Sequence, residues 1–431
     1  MSLEPQLALA DAEPLPTAAR ARVLAYLGAL VVLLGLGSPA HGLIDLPVSF
    51  FLKNRLHLSA HEVATFKLIA AIPLYVSFVF GFLRDVWSPF GLRDRGYFMV
   101  FGGLCTAVYV IFALTPPTYV TLAAGVMLAT TAFLLVSSAQ HGLASAIGKQ
   151  HVMSGQVSAV WNIFLALPIV AAFFFGGALS GQIEGQGAQA AGRTLFLVGA
   201  AIMGCVTLYG VFRPASVYDG LYAKGPVRKP LSELKRLLAH RPIYPVLAIW
   251  FLFCFAPGSG TALQYYLQNT LHATDAQWGA WNAIMTAGFL PTYFVFAFFC
   301  TRVPLAKLLF WGTVVAIPQF APLLFVRSVD ASLIGAFGIG LLGGVATAAY
   351  TDLLIRSAPK GLEGATLMIS VSLYWLSARF GDVLGTWLYD RLGGFGICVT
   401  AITLVYALIL PLLRLVPKAL VATADGQSPP P

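Results

Sequence analysis

Apolar residues follow one another along this chain in about twelve long runs, near 23–52, 61–83, 96–115, 118–141, 151–179, 193–212, 242–269, 275–300, 304–326, 331–356, 362–387 and 393–415. Crossing a hydrocarbon core of about 30 Å takes about 20 mostly apolar residues, and inside it each backbone amide must find a partner within its own segment, so runs of this length are predicted to be helices. The longest polar interval, 213–241, separates six runs from six. Within it LSELKRLLAH has helical spacing with cations on one side, which suits a helix lying along the inner head groups. The expected plan is a disordered cytosolic tail at 1–22, a six-helix bundle at 23–212, a cytosolic linker at 213–241, a second six-helix bundle at 242–415 and a disordered cytosolic tail at 416–431.

The two halves repeat one another. A gapless shift of 215 positions lays FFLKNRLHLSAHEVATF (Phe50 to Phe66) over YYLQNTLHATDAQWGAW (Tyr265 to Trp281), so that Leu52, Asn54, Leu56 and His57 meet Leu267, Asn269, Leu271 and His272. Each copy has an apolar run broken by Gly and Pro, an aromatic pair, and a polar turn opening on Ser59 or Thr274. Repeats of hydrophobic segments with paired breaks mark secondary transporters and point to their substrate site. The breaks fall at Gly42 to Pro47 and Pro257 to Gly260.

Composition agrees with a bilayer: 58% of residues are hydrophobic and 10% charged, too little polar surface for a soluble fold of 431 residues. The net charge of +9 does not imply nucleic acid, because the cations sit between apolar runs as topology signals and lipid head-group contacts. With both termini inside, nineteen Lys and Arg fall on the cytosolic side and five outside, while Lys67 and Arg379 lie within spans. So lopsided a split predicts an even number of helices. The first twenty residues lack the apolar core of a secretory signal peptide, and the five cysteines are scattered singly, with no metal or disulfide spacing. No enzyme signature occurs: Gly338 to Gly344 lacks the strand and the GK[ST] of a phosphate loop and reads as a close-packing helix face. No cofactor and no metal is expected.

Between spans 2 and 3 the chain reads GFLRDVWSPFGLRDRGY. Gly81 permits close helix approach, Asp85 is an acceptor at a helix end, and Arg93 and Arg95 are donors, so the four are expected to form a cytosolic gate. This Gly-x-x-x-Asp…Arg-x-Arg pattern resembles the signature of the major facilitator superfamily. The insert SPFGLRDRGYF, the FLKNRLHLSAHEV turn, PGSGTALQYYLQNTLHATDAQWG, VPLAKLLF and APKGLEGATLMISVS together are similar to the folate–biopterin transporter family. The resemblance implies an all-α integral membrane protein with twelve transmembrane helices in two pseudo-symmetric six-helix bundles, working as a proton-coupled permease for folates or pterins. One departure is span 4, which ends SSAQHGLASAIG and has Gln140 and His141 where that family commonly has an acidic pair.

A charge at the bilayer midplane costs at least about 2.5 kcal/mol, so intramembrane ionisable residues carry the site hypotheses. Asp45, in the first break, is either a proton carrier or a hydrated helix-end residue. Arg379 and Asp382, at i and i+3, either pair with each other or leave Arg379 to grip a substrate carboxylate through its planar fork. Trp375, one turn before Arg379, offers a flat face to a heterocycle or packs into the core. His141 is a further proton candidate, as is Asp382, and Gln264 is a cavity candidate that the repeat sets opposite Ser49. The expected substrate is an organic anion carried with protons by a monomer in a bacterial inner membrane. Two rivals stay open: a transporter of siderophores, muropeptides or drugs, and a pigment-complex assembly factor on the same fold.

Overall fold

The computed structural model describes residues 15–39, 44, 48, 52, 56, 60–115, 118–183, 188–219, 221, 230–392 and 394–427. The first half holds α1 (Thr17–Gly37), then α2 (Ala60–Ala70), α3 (Ile72–Tyr75) and α4 (Ser77–Val86), then α5 (Asp94–Leu114), α6 (Tyr119–Gln150), α7 (Ser154–Ile183) and α8 (Ala188–Val211). A short α9 (Pro230–Ala239) leads into the second half: α10 (Ile243–Cys254), α11 (Thr261–Tyr265), α12 (Asp275–Phe299), α13 (Leu305–Ala316), α14 (Val329–Ser357), α15 (Glu363–Leu392), α16 (Phe395–Ala407) and α17 (Ile409–Leu413). The chain closes on α18 (Lys418–Val421). Among the described residues there is no strand, and ten helices are long and apolar enough to cross a membrane, or eleven if the bent pair α9 and α10 counts as one span. The protein is an all-α, multi-pass membrane protein.

The two expected spans missing from those ten are interrupted ones. Span 2 is cut into α2, α3 and α4 at Ala71 and Val76, beside Pro73, whose ring nitrogen has no hydrogen to give a helix. Span 7 is cut into α10 and α11 by Phe255 to Gly260, where Gly258 takes φ +95, a left-handed conformation that glycine adopts without strain. Tyr266–Thr270 then widens into a π turn before the chain re-enters the bundle. Thr274, read in the sequence as the start of a turn, is the N-cap of α12: its hydroxyl accepts from Gln277 N at 3.2 Å, and Gln277 Oε1 accepts from Thr274 N at 2.8 Å.

Small residues fix the helix crossings, since lipid supplies no hydrophobic drive between helices and close van der Waals contact must do the work. On α14, Gly340 lies against the Met285 carbonyl and Gly344 against Thr292, both of α12. On α15, Gly381 and Gly385 lie against the backbone of Ala256 and Gly258 in the span 7 break. The linker helix α9 meets α10 at 76°. Its Leu237 packs with Ile243, Leu362 and Ala365, while Leu231, Leu234 and Leu238 stay exposed. His240 Nε2, 3.1 Å from the Ser357 carbonyl, pins the end of α9, and burial lowers the pKa of its imidazole below the usual value.

Candidate functional site

Helices α7 and α12 pack together across the halves, while the polar contacts between the halves gather at the end of the molecule that carries the described chain termini. There α4 lies against the start of α15. Gly81 makes the approach possible, because a Cβ on it would stand 2.4 Å from the Gly364 carbonyl oxygen. The Asp85 carboxylate then accepts from two amides at the N-terminus of α15, Gly364 N at 3.2 Å and Ala365 N at 2.7 Å. A helix N-terminus has unpaired N–H groups and a partial positive charge, so a carboxylate from the opposite half is a fitting cap. Arg84 holds Asp85 at 2.8 Å and Asp94 at 2.6 Å. One step deeper on the same seam, Ser77 Oγ donates to the Met368 carbonyl at 3.0 Å, and the Ser372 hydroxyl lies 2.8 Å away.

The expected gate therefore needs a correction. Gly81 and Asp85 meet the second half, but Arg93 and Arg95 do not supply the cation beside Asp85. The insert between α4 and α5 turns through positive φ at Phe90, Gly91 and Arg93, which swings Arg95 away from the seam. Arg95 instead donates to the carbonyls of Gly210 and Val211 at 2.9 and 2.8 Å, closing the C-terminus of α8 within its own half. Arg93 N donates to Ser88 Oγ and stabilises the turn. Arg84, the cation next to Asp85 in the chain, holds the place expected of these two.

The second seam runs between α7 and α14. Ser158 Oγ donates to the Ala348 carbonyl at 2.7 Å. Arg356 forks onto Asp352 with contacts of 2.9 and 3.0 Å, an i, i+4 pair legible in the sequence, and reaches Asp425 at 3.0 Å. The Asp425 carboxylate accepts from Gly155 N at 3.1 Å and Gln156 N at 2.8 Å at the start of α7. Burial and the neighbouring Asp352 raise the pKa of the Asp425 carboxyl above the usual carboxylate range, against the pull of Arg356 and the two amides. Residues 416–427, expected as disordered tail, lie along the second half, and Asp425 and Gly426 reach across to the first; composition at the chain end gave no sign of the buried carboxylate. Beside this seam Lys149 joins Glu363 at 3.3 Å and donates to the Ala358 carbonyl.

Midway along α15 lie the substrate-site candidates. Arg379 and Asp382 do not pair. Both Asp382 oxygens are taken by Thr261, from its N–H at 2.7 Å and its hydroxyl at 2.8 Å, so Asp382 caps α11 where span 7 restarts. Gln264, half-buried, sits three residues on in α11. Arg379 is exposed and its Nε donates across the interface to Tyr75 Oη at 3.3 Å. Trp375 is partly buried against Leu74, Leu134 and Met368, so the two halves share it as packing. His141 Nδ1 donates to the Ser137 carbonyl at 2.7 Å and its ring meets Trp161 edge-on, with centroids 4.1 Å apart. Asp45 lies outside the described residues. Replacing Asp382 with alanine is expected to destabilise the protein by about 1–2 kcal/mol through loss of the cap, and Asp382→Asn by less because one acceptor remains. Thermal unfolding midpoints of the detergent-purified variants check this, and an unchanged midpoint for Asp382→Ala would show that the cap contributes nothing.

Comparison with known proteins places this geometry. The model of the BT1 family matches residues 37–428. The chain is 24% identical over 410 residues to the folate-biopterin transporter of Synechocystis, covering 87% of this chain and 78% of that protein. It is 19% identical over 296 residues to folate transporter 1 of Plasmodium falciparum, covering 67% of this chain and 56% of that protein, so the match spans little more than half of that relative. Among solved structures it is similar to the major facilitator superfamily transporter FucP in the outward conformation, with TM-score 0.70, 14% identity and coverage of 91% and 98% of the two chains. It is also similar to the proton:xylose symporter XylE, with TM-score 0.67, 14% identity and coverage of 92% and 96%.

Proposed function

The chain belongs to the BT1 family and is a membrane transporter for a small molecule, and from that premise we propose that it moves a folate- or pterin-like organic anion together with protons. The observation that supports this substrate class beyond the family is Arg379. A guanidinium on the middle of α15, exposed and facing Tyr75 of the other half, suits bidentate capture of a carboxylate between the two bundles. We assign the end closed by the two seams to the cytosol, because the sequence puts most Lys and Arg there. The protein is then a monomer closed at its cytosolic end, whose bundles rock about the midplane, and only a ligand that binds the two states differently biases that motion.

Asp45, His141 and Asp382 are the proton candidates of this reading. Asp382 accepts both bonds from Thr261 at the start of α11, so a change at this residue reaches the broken helix beside Arg379. The direct test is uptake of labelled folate or biopterin into proteoliposomes under an imposed proton gradient. Arg379→Ala is expected to lower uptake by about tenfold or more, the loss typical of one charge-assisted contact to substrate. Equal uptake by the two proteins would remove the arginine from the site, and no uptake of either ligand by the unmodified protein would remove the substrate class.

A further inference from the structure

The 215-residue register of the repeat sets Cys300 in the second half where Asp85 stands in the first. Asp85 caps the helix of the opposite bundle, α15, whereas Cys300 has no carboxylate to offer α7. The chain end fills that gap. Asp425 N donates to the Cys300 carbonyl at 2.9 Å, which fixes residue 425 beside the position where the repeat lacks an acid. From there its side chain reaches the amides of Gly155 and Gln156, the α7 counterparts of the α15 amides held by Asp85.

The same segment grips both halves. Gly426 N donates to the Val152 carbonyl at 2.7 Å, in the turn between α6 and α7. On the other side Arg356, rooted in α14, donates to the Thr423 carbonyl at 2.9 Å and to Asp425. Asp425 is 4% exposed although it lies six residues from the end of the chain, and Gly155 sits so close beneath Cys300, Asp425 and Asp352 that a Cβ would stand 2.9–3.1 Å from all three. A segment that bonded to one half alone would ride with it as the bundles rock. This one is bonded across the line along which they part.

We propose that residues 418–427 form a strap that supplies the second cytosolic latch, and that Asp425 must leave the N-terminus of α7 before the transporter opens inward. The proposal rests on the alternating-access reading but on no particular substrate. It therefore belongs to the class of tails that set the balance between two conformations, and any modification or partner that removes the segment will shift the protein toward the inward-facing state.

A cysteine placed at Ser158 gives up the bond to the Ala348 carbonyl in every protein compared but leaves the strap's own contacts in place, and it reports the seam once the exposed Cys205, the half-buried Cys254 and Cys300 beneath the strap are changed to serine. In inside-out vesicles, labelling of Ser158→Cys by a membrane-impermeant maleimide is expected to be slow. Asp425→Arg, which sets a cation against Arg356 and the helix N-terminus, is expected to raise the rate about tenfold, by removing charge-assisted bonds of the kind that shift a two-state balance by that factor. A chain ended after Pro417 is expected to match it, and thermal unfolding midpoints of both variants establish that they are folded. Labelling that stays slow in both folded variants would overturn the strap. Because no substrate is present, that result would leave the folate or pterin assignment untouched, just as failed uptake would leave the strap standing.

Discussion

Asp85→Asn is expected to cut transport by about tenfold or more in a protein that still folds. The carboxylate is fully buried, is held by Arg84 at 2.8 Å, and accepts from two amides at the start of α15. Asparagine keeps the size but gives up the charge, and its amide end points a donor at donors. Hydrogen bonds to a charged group contribute about 1.5–3 kcal/mol each, and anions at a helix N-terminus add a few tenths more, so a loss of about 2 kcal/mol in the closed-seam state is a fair expectation. That is a shift of roughly thirtyfold in the balance against the closed-seam state. Two measurements check it: proteoliposome uptake, and maleimide labelling of a cysteine at Ser77 on the same seam, which should rise as uptake falls. Wild-type values for both would show that the cap does not hold the bundles together.

The largest effect on stability is expected at Gly385. A Cβ there would stand 2.0 Å from the Gly258 amide nitrogen and 2.4 Å from its Cα, so no rotamer change relieves the overlap; the backbone of the span 7 break must move. Overpacking a well-filled site costs about 1–3 kcal/mol, and Gly385→Val adds the loss of the Asp382 cap one turn away, so about 3 kcal/mol or more is expected. Gly338→Val on α14 is the control, because nothing stands within 4 Å of a Cβ there. The unfolding midpoint should drop sharply for the first variant and stay put for the second. Equal midpoints would mean that α15 does not support the break by direct backbone contact.

Span length was legible because the bilayer imposes one length on every crossing, and the break in span 7 was legible because Pro257, Gly258 and Gly260 together cannot continue a helix. The interruption of span 2 beside Pro73 was not legible in this way, because Pro168 and Pro291 sit inside helices that run on through them. Partner choice was harder. Arg379 and Asp382 have the spacing of an ion pair, yet Asp382 is claimed by Thr261, 121 residues distant in sequence, and no local pattern announces that. Arg84 was passed over for Arg93 and Arg95 because the spacing of the loop, without its three positive φ values, gives no direction to the side chains. Asp425 lay in a stretch whose composition, rich in Pro, Ser and Gly, speaks for disorder, and its burial depends on a cavity built by three other elements.

Both seams close on short polar contacts made to helix ends by acids from elsewhere in the chain, Asp85 at α15 and Asp425 at α7. Hydrogen bonds of this kind fade within about an ångström of stretch, since their geometry fails before the charges have moved far apart. A clasp so built has almost no elastic range. In the proposed transport cycle such a clasp would let go within a short displacement instead of stretching with the parting bundles.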